Sequence, residues 1–410
     1  MRRYVARSAV APGLAAYGGI IAGIVATVAV LVAASFKATP YNNYVLLAAA
    51  LRHGHVWIDW PGPYIDALRY GDRYYVIEAP LPAILLLPAV ALAGTAANQS
   101  QLAAILAGVA TFAAWHIGRA LAVPLGARLL LCAFLLLGTD LFWCATLGDV
   151  WFIAHVAAVA FTMLALLELV GARRPWLIAL FAACAVESRF TMLLAVPVYA
   201  VMLWLDIGPD GMPLGKTARR FRFPLLRWRA LGGYVIVLVP FAAGWIWYNF
   251  ARWGVPYDIG YTTWFHEDPA GAPSGSPFAL RYLTYQLQSF FVQGPSFGPV
   301  YPYVVPSFSG AALGWTSPAL LLAFFARRPP PLVAALWVAT VLCAVPNFIY
   351  YVNGFAQFGM RHALDFEPFL FVLMLLAARR GFGPLWTALA LYSVAVGAWG
   401  LWFWRTLVRH

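Results

Sequence analysis

The chain has 410 residues, of which 63% are hydrophobic and 10% charged, and its mean hydropathy is +0.77. A soluble domain carries about a quarter charged residues, so this composition excludes an ordinary soluble enzyme. The formal net charge is +12; in so apolar a chain basic residues set topology by the positive-inside rule, and nucleic acid is not an expected partner.

A bilayer core about 30 Å thick needs roughly 20 apolar residues per helix, and such segments recur along the whole sequence. The expected fold is an all-α polytopic membrane protein, one transmembrane domain of about eleven helices, since the short alternating segments of a membrane β-barrel are not seen. Cys132, Cys144, Cys184 and Cys343 lie in or beside apolar segments with no metal-ligand spacing and read as packing residues.

Arg2, Arg3 and Arg7 precede the apolar run from Leu14 to Phe36. That run is longer than a signal-peptide h-region and reads as a retained first span leaving the cytoplasm. Residues 37–99 then form the first extracytoplasmic loop, with Asp59, Asp66, Asp72, Glu78 and the triplet Tyr41-Asn42-Asn43. Within it, residues 81–97 are apolar but short and interrupted by Pro82 and Pro88. Counting them as a span would put Arg119, Arg128, Arg173-Arg174 and the run from Lys216 to Arg229 outside. The charge rule therefore makes them a juxtamembrane or re-entrant helix.

The following spans cover 100–118, 128–146 and 150–170, then two short ones over 176–206, broken near Glu187-Ser188-Arg189. Residues 207–230 are a basic cytoplasmic loop, 231–249 a span, and 250–310 a second large outer loop rich in Gly, Pro, Ser, Tyr and Phe. Further spans end at Arg327-Arg328, cover 332–348, end at Arg379-Arg380 and cover 383–404. In this arrangement only Glu168, Asp206 and Asp210 among the fifteen acids face inward. Ionisable groups gathered near membrane depth on one face mark a functional site.

Several segments carry a family resemblance: YYVIEAPLPAILLLP, SRFTMLLAVPVYAVML, YNFARWGVPYDIGY and RHALDFEPFLFVLMLL. With the long first outer loop, they resemble the GT-C superfamily of integral-membrane glycosyltransferases, relatives of protein O-mannosyltransferases and aminoarabinose transferases. The resemblance implies transfer of a sugar from a polyprenyl-phosphate donor to a lipid, glycan or protein acceptor, on the outer face of a bacterial plasma membrane. It also implies an acid just after the first span, where this chain has Asn42 and Asn43. A second family acid maps onto Asp149, and an arginine at the break between two short helices onto Arg189.

The departing phosphate needs a cation, and Arg189 and Arg361 are the candidates because a guanidinium fork fits phosphate. The acceptor hydroxyl needs a base, for which Asp66 comes first and Asp59 second; a single base opposite the phosphate gives inversion. Tyr41, Asn42, Asn43, Glu78, His266 and Glu267 are candidate substrate contacts. A divalent cation (Mg²⁺, Mn²⁺ or Zn²⁺) is an open option, with Asp149, Asp66 and His155 or His53 as possible ligands, although His155 reads first as a packed histidine. The aromatic residues of the 250–310 loop suit either a sugar or the membrane interface. Two other readings stand beside transfer: a transporter of the lipid-linked sugar, and an inactive relative that only binds it, which Asn42-Asn43 would favour.

Overall fold

A computed structural model describes residues 12–60, 62, 67–205 and 223–408. The chain is mostly helical, with a small share of strand. α1 (Pro12–Ala33) leads into the first loop, which contains α2 (Asn43–Arg52), the hairpin β1 (Leu68–Tyr70) and β2 (Arg73–Tyr75), and α3 (Leu81–Ala93). There follow α4 (Gln99–Ala120), α5 (Leu125–Leu137), α6 (Leu141–Leu147), α7 (Val150–Val170) and α8 (Pro175–Val186). A 3-10 turn over Phe190–Ala195 continues into α9 (Val196–Leu205), and α10 (Phe223–Trp253) begins beyond residues 206–222, which lie outside the described part.

The second loop holds α11 (Gly260–Glu267), α12 (Leu283–Phe291), the hairpin β3 (Ser296–Phe297) and β4 (Val304–Val305), β5 (Ser309–Ala311) and α13 (Leu313–Thr316). A 3-10 run, Pro318–Phe325, leads to α14 (Pro330–Phe348). β6 (Gln357–Gly359) pairs in parallel with β5, and a 3-10 turn, Arg361–Asp365, leads to α15 (Glu367–Ala378) and α16 (Pro384–Phe403).

Among the described residues five helices are long and apolar enough to cross a membrane: Gln99–Ala120, Val150–Val170, Trp228–Trp253, Pro330–Phe348 and Pro384–Val408. The pair α5 and α6, bent by 48°, makes a sixth if taken as one. Burial separates them. In α7, 78% of the best apolar window is buried, against 6% in α10. Ile236, Val239, Trp247 and Phe250 of α10 are exposed, as are Ile20, Ile24, Val28 and Val32 of α1. Such surfaces are costly in water and suit hydrocarbon, so α7 is central and α1 and α10 are peripheral. α3 has 13 residues, which at 1.5 Å per residue extend about 20 Å, less than a bilayer core.

Close helix packing rests on small residues, as expected where lipid supplies no hydrophobic drive between helices. α1 crosses α4 at Gly23 and Gly108, and a Cβ on Gly108 would strike Thr27 Oγ1 and come 2.7 Å from the Gly23 carbonyl. Gly126 in α5 has nothing within 4 Å of such an atom. Replacing Gly108 with Leu is therefore expected to destabilise the protein by about 1–3 kcal/mol. Gly126→Ala should stay within about 0.5 kcal/mol of the wild type. Thermal unfolding of both variants in detergent measures the contrast.

Candidate functional site

The break between α8 and the following 3-10 turn sets the site. Ser188 Oγ returns its hydrogen bond to the Cys184 carbonyl (2.9 Å), and Arg189 takes an extended backbone (φ −147°, ψ 113°) that ends the helix. The first loop is tied down on both sides of Glu78, on one side to α10 and on the other to this break. Arg252 Nη1, at the end of α10, donates to the Val76 carbonyl (3.1 Å), and Leu81 N donates to the Glu187 carbonyl (2.9 Å). Between these anchors Glu78 is buried in the wall of a cavity of about 1000 Å³.

A cluster beside the cavity draws on distant parts of the chain. Asp365, fully buried, accepts from His155 Nδ1 (3.0 Å), Arg189 Nε and Nη2 (3.2 and 2.9 Å), Thr191 Oγ1 (2.8 Å) and Asn347 Nδ2 (3.1 Å). Burial alone would push its carboxyl up. The Arg189 guanidinium and then His155 outweigh that and hold it well below the usual carboxylate range, so Asp365 is an anion. Burial, with Arg361 and His155 beside it, holds the His362 imidazole well below its ordinary value, so the ring is neutral.

Arg361 differs from Arg189. Its guanidinium is buried, lies 5.3 Å from the Phe152 ring centre, and has no hydrogen-bond partner at Nε or Nη1. Gly354 (φ +101°) makes room for it, since a Cβ there would lie 3.0 Å from Arg361 Cζ. The rest of the lining mixes aromatic and polar groups, among them Trp151, Trp245, Tyr261, Tyr285, Tyr350 and Asn353. Two more acids line it and are held in place. Asp258 accepts from Trp253 Nε1 and Gly260 N (both 3.0 Å), and Asp268 accepts from Ala270 N (2.9 Å) and the Tyr351 hydroxyl. A smaller hollow between the far ends of α4 and α7 is lined by His116, Arg119 and Glu168, and Glu168 is engaged by Arg174.

Of the residues singled out in the sequence, Glu78, His155, Arg189 and Arg361 line the cavity together. The others lie elsewhere or beyond description. Asp66 falls outside the described residues. Asp59 is exposed beside the bridge between Ile58 and Tyr74 and does not line the cavity. Asp149 precedes α7, fully buried, where it accepts from Thr39 Oγ1 and fastens the segment after α1 to α7. Tyr41 packs on Trp151 (ring centres 4.8 Å apart) and its carbonyl accepts from Gln99 Nε2 (3.0 Å), so it braces the lining from behind. Asn42 and Asn43 begin α2, where Asn43 is buried, and neither lines the cavity. His266 and Glu267 are exposed at the end of α11, and His53 is exposed after α2.

For the metal option, no group of three or more His, Cys, Asp or Glu side chains among the described residues could hold a metal ion. His155 is engaged by Asp365 instead. Sequence reasoning passed over Asp365, His362, Asp258 and Asp268 as site residues. The available signal was the density of RHALDFE, four ionisable groups within seven residues between two apolar helices. Searches against protein-family models, curated proteins and solved structures found no match.

Two outcomes follow from this geometry. Replacing Asp365 with Asn leaves Arg189 buried without its carboxylate and is expected to cost about 3–5 kcal/mol. Arg189→Gln in the same chain should restore part of that, as measured by denaturation in detergent. Burial pushes the Glu187 carboxyl up from 4.5 to about 7, with Arg252 opposing. The folded chain thus keeps a proton that the unfolded chain releases, so stability falls as pH rises from 4.5 to about 7 and levels off above. Glu187→Gln should flatten that part of the profile in thermal midpoints taken across it.

Proposed function

We propose that this protein is an integral-membrane glycosyltransferase that moves a sugar from a polyprenyl-phosphate donor to an acceptor on the extracytoplasmic face of a bacterial plasma membrane. One observation carries the reading: a buried arginine, Arg361, has N–H groups without acceptors in the wall of a large, partly aromatic cavity. A buried cation with open donors is costly unless an anion completes it. A lipid-linked phosphate brings that anion together with an apolar tail suited to the surrounding helices.

In this reading the shorter apolar helices cross as well. α1, α8, the run Phe190–Leu205, the stretch 313–325 and α15 join the six longer candidates, giving about eleven crossings; α3, no shorter than α8 or α15, is left in the outer loop by the positive-inside rule and not by its length. The acceptor hydroxyl attacks the anomeric carbon from the side opposite the phosphate. The bond from that carbon to the phosphate oxygen breaks, its electron pair leaves with the polyprenyl phosphate, and the sugar carbon inverts. The leaving phosphate gains a negative charge, which Arg361 receives in a site of low dielectric. Glu78, the acid of the first loop that lines the cavity, takes the hydroxyl proton.

A second reading, binding of the lipid-linked sugar without transfer, is favoured by Asn42-Asn43 where the resemblance expects an acid. Purified protein in vesicles, given labelled polyprenyl-phosphate sugars and candidate acceptors, tests both. Transfer is expected, with Arg361→Gln and Glu78→Gln each slower by about 10²-fold or more. Full transfer by Arg361→Gln would sink the phosphate assignment. Donor binding by the wild type with no transfer to any acceptor would favour the second reading, and passage of the intact donor across the vesicle a transporter.

A further inference from the structure

Arg361 is followed in the same 3-10 turn by a second residue with an open donor. His362 Nδ1 lies 3.4 Å from Arg189 Nη2. A guanidinium N–H can only donate, so Nδ1 is the acceptor and the single ring proton sits on Nε2. Nε2 is buried, has no hydrogen-bond partner, and belongs to a ring that is 7% exposed and lines the cavity.

The tautomer is set by a chain of contacts. Asp365 holds Arg189 through two hydrogen bonds, and Arg189 in turn occupies the Nδ1 lone pair. Two adjacent residues therefore line one cavity with three donor nitrogens that lack acceptors: Arg361 Nε and Nη1, and His362 Nε2. Among the nearby carboxylates, Asp365 already receives its five hydrogen bonds from other groups.

We propose that His362 is an uncharged hydrogen-bond donor, through Nε2–H, to the phosphate bound at Arg361. The inference rests on the lipid-phosphate reading above and adds to it a residue whose role needs no positive charge. A phosphate oxygen accepts from a neutral imidazole as it does from a backbone amide, and the donor is fixed before the ligand arrives. The groups around the ring are Arg361 and Asp365 on its own turn, Arg189 from the break, His155 of α7 with ring centres 5.3 Å apart, and Tyr350 at 6.2 Å. Two guanidinium groups oppose any charge on the imidazole, so phosphate binding should not strengthen as the solution is acidified toward the ordinary histidine range.

The test uses the full chain in lipid nanodiscs, with polyprenyl monophosphate as the probe. His362→Phe is expected to weaken binding about tenfold, and His362→Gln, which keeps an N–H donor, to stay within about threefold of the wild type. Wild-type binding should not tighten as pH is lowered from about 8 to about 6, across the ordinary histidine range, where the probe's own second ionisation near about 6 can only weaken it. Nitrogen NMR of labelled histidine should find the Nε2-protonated tautomer at His362, a signature that loss of packing would not produce. Thermal midpoints establish that both variants are folded. If the wild type binds and His362→Phe binds equally well, or if the proton is on Nδ1, or if binding tightens at acid pH, the inference fails while the lipid-phosphate reading stands. No binding by the wild type overturns that reading and this inference with it.

Discussion

A single buried carboxylate holds the site together. Asp365 gathers His155 from α7, Arg189 and Thr191 from the break after α8, and Asn347 from α14. Taking an anion so far from water is costly, and the cost is offset only because each oxygen receives at least two hydrogen bonds, those from arginine being charge-assisted. A half-satisfied network of this kind would be worse than an apolar core. The arrangement therefore fixes the extended backbone at Arg189, the short turn at 361–365 and the rotation of α7 about its axis.

The same carboxylate divides the labour between two arginines. Arg189 is charge-balanced by Asp365 and acts on its neighbours as a fixed N–H donor. Arg361 keeps open donors, with Asp140 too far to form an ion pair and engaged by the Gly359 amide at 3.1 Å. An arginine already neutralised by a buried acid offers little to an incoming anion, whereas one lacking a partner offers a great deal. From the sequence the two look alike, each an arginine at an inferred outer mouth beside acids.

What the sequence made legible was whatever depends on local pattern. Segment hydropathy marks α4, α7, α14 and α16 within a few residues, because a run of apolar side chains needs no knowledge of its neighbours. The break at Glu187-Ser188-Arg189 was also visible, since charges interrupt a run too long for one helix. The pairing of His155 with Asp365 was not: 210 positions separate them, and neither has a spacing that points to the other. Asp149 shows the converse limit. Its position after a helix suggests chemistry, yet its carboxylate accepts from Thr39 and fastens the segment after α1 to α7. Glu78 was identified as a candidate, but its standing among the loop acids came only from the anchors at Val76 and Leu81, which are contacts with α10 and the break.

The separation of Arg189 from Asp365 has a consequence for how the protein is made. The two are 176 positions apart, with α14 between them. At a synthesis rate of about 5–20 residues per second, Arg189 is complete on the order of ten seconds before its counterion exists. During that interval Arg189 lacks the carboxylate that balances it in the folded protein, and a cation without its partner needs other solvation. The ion pair that balances Arg189 can therefore form only once about nine-tenths of the chain has been made.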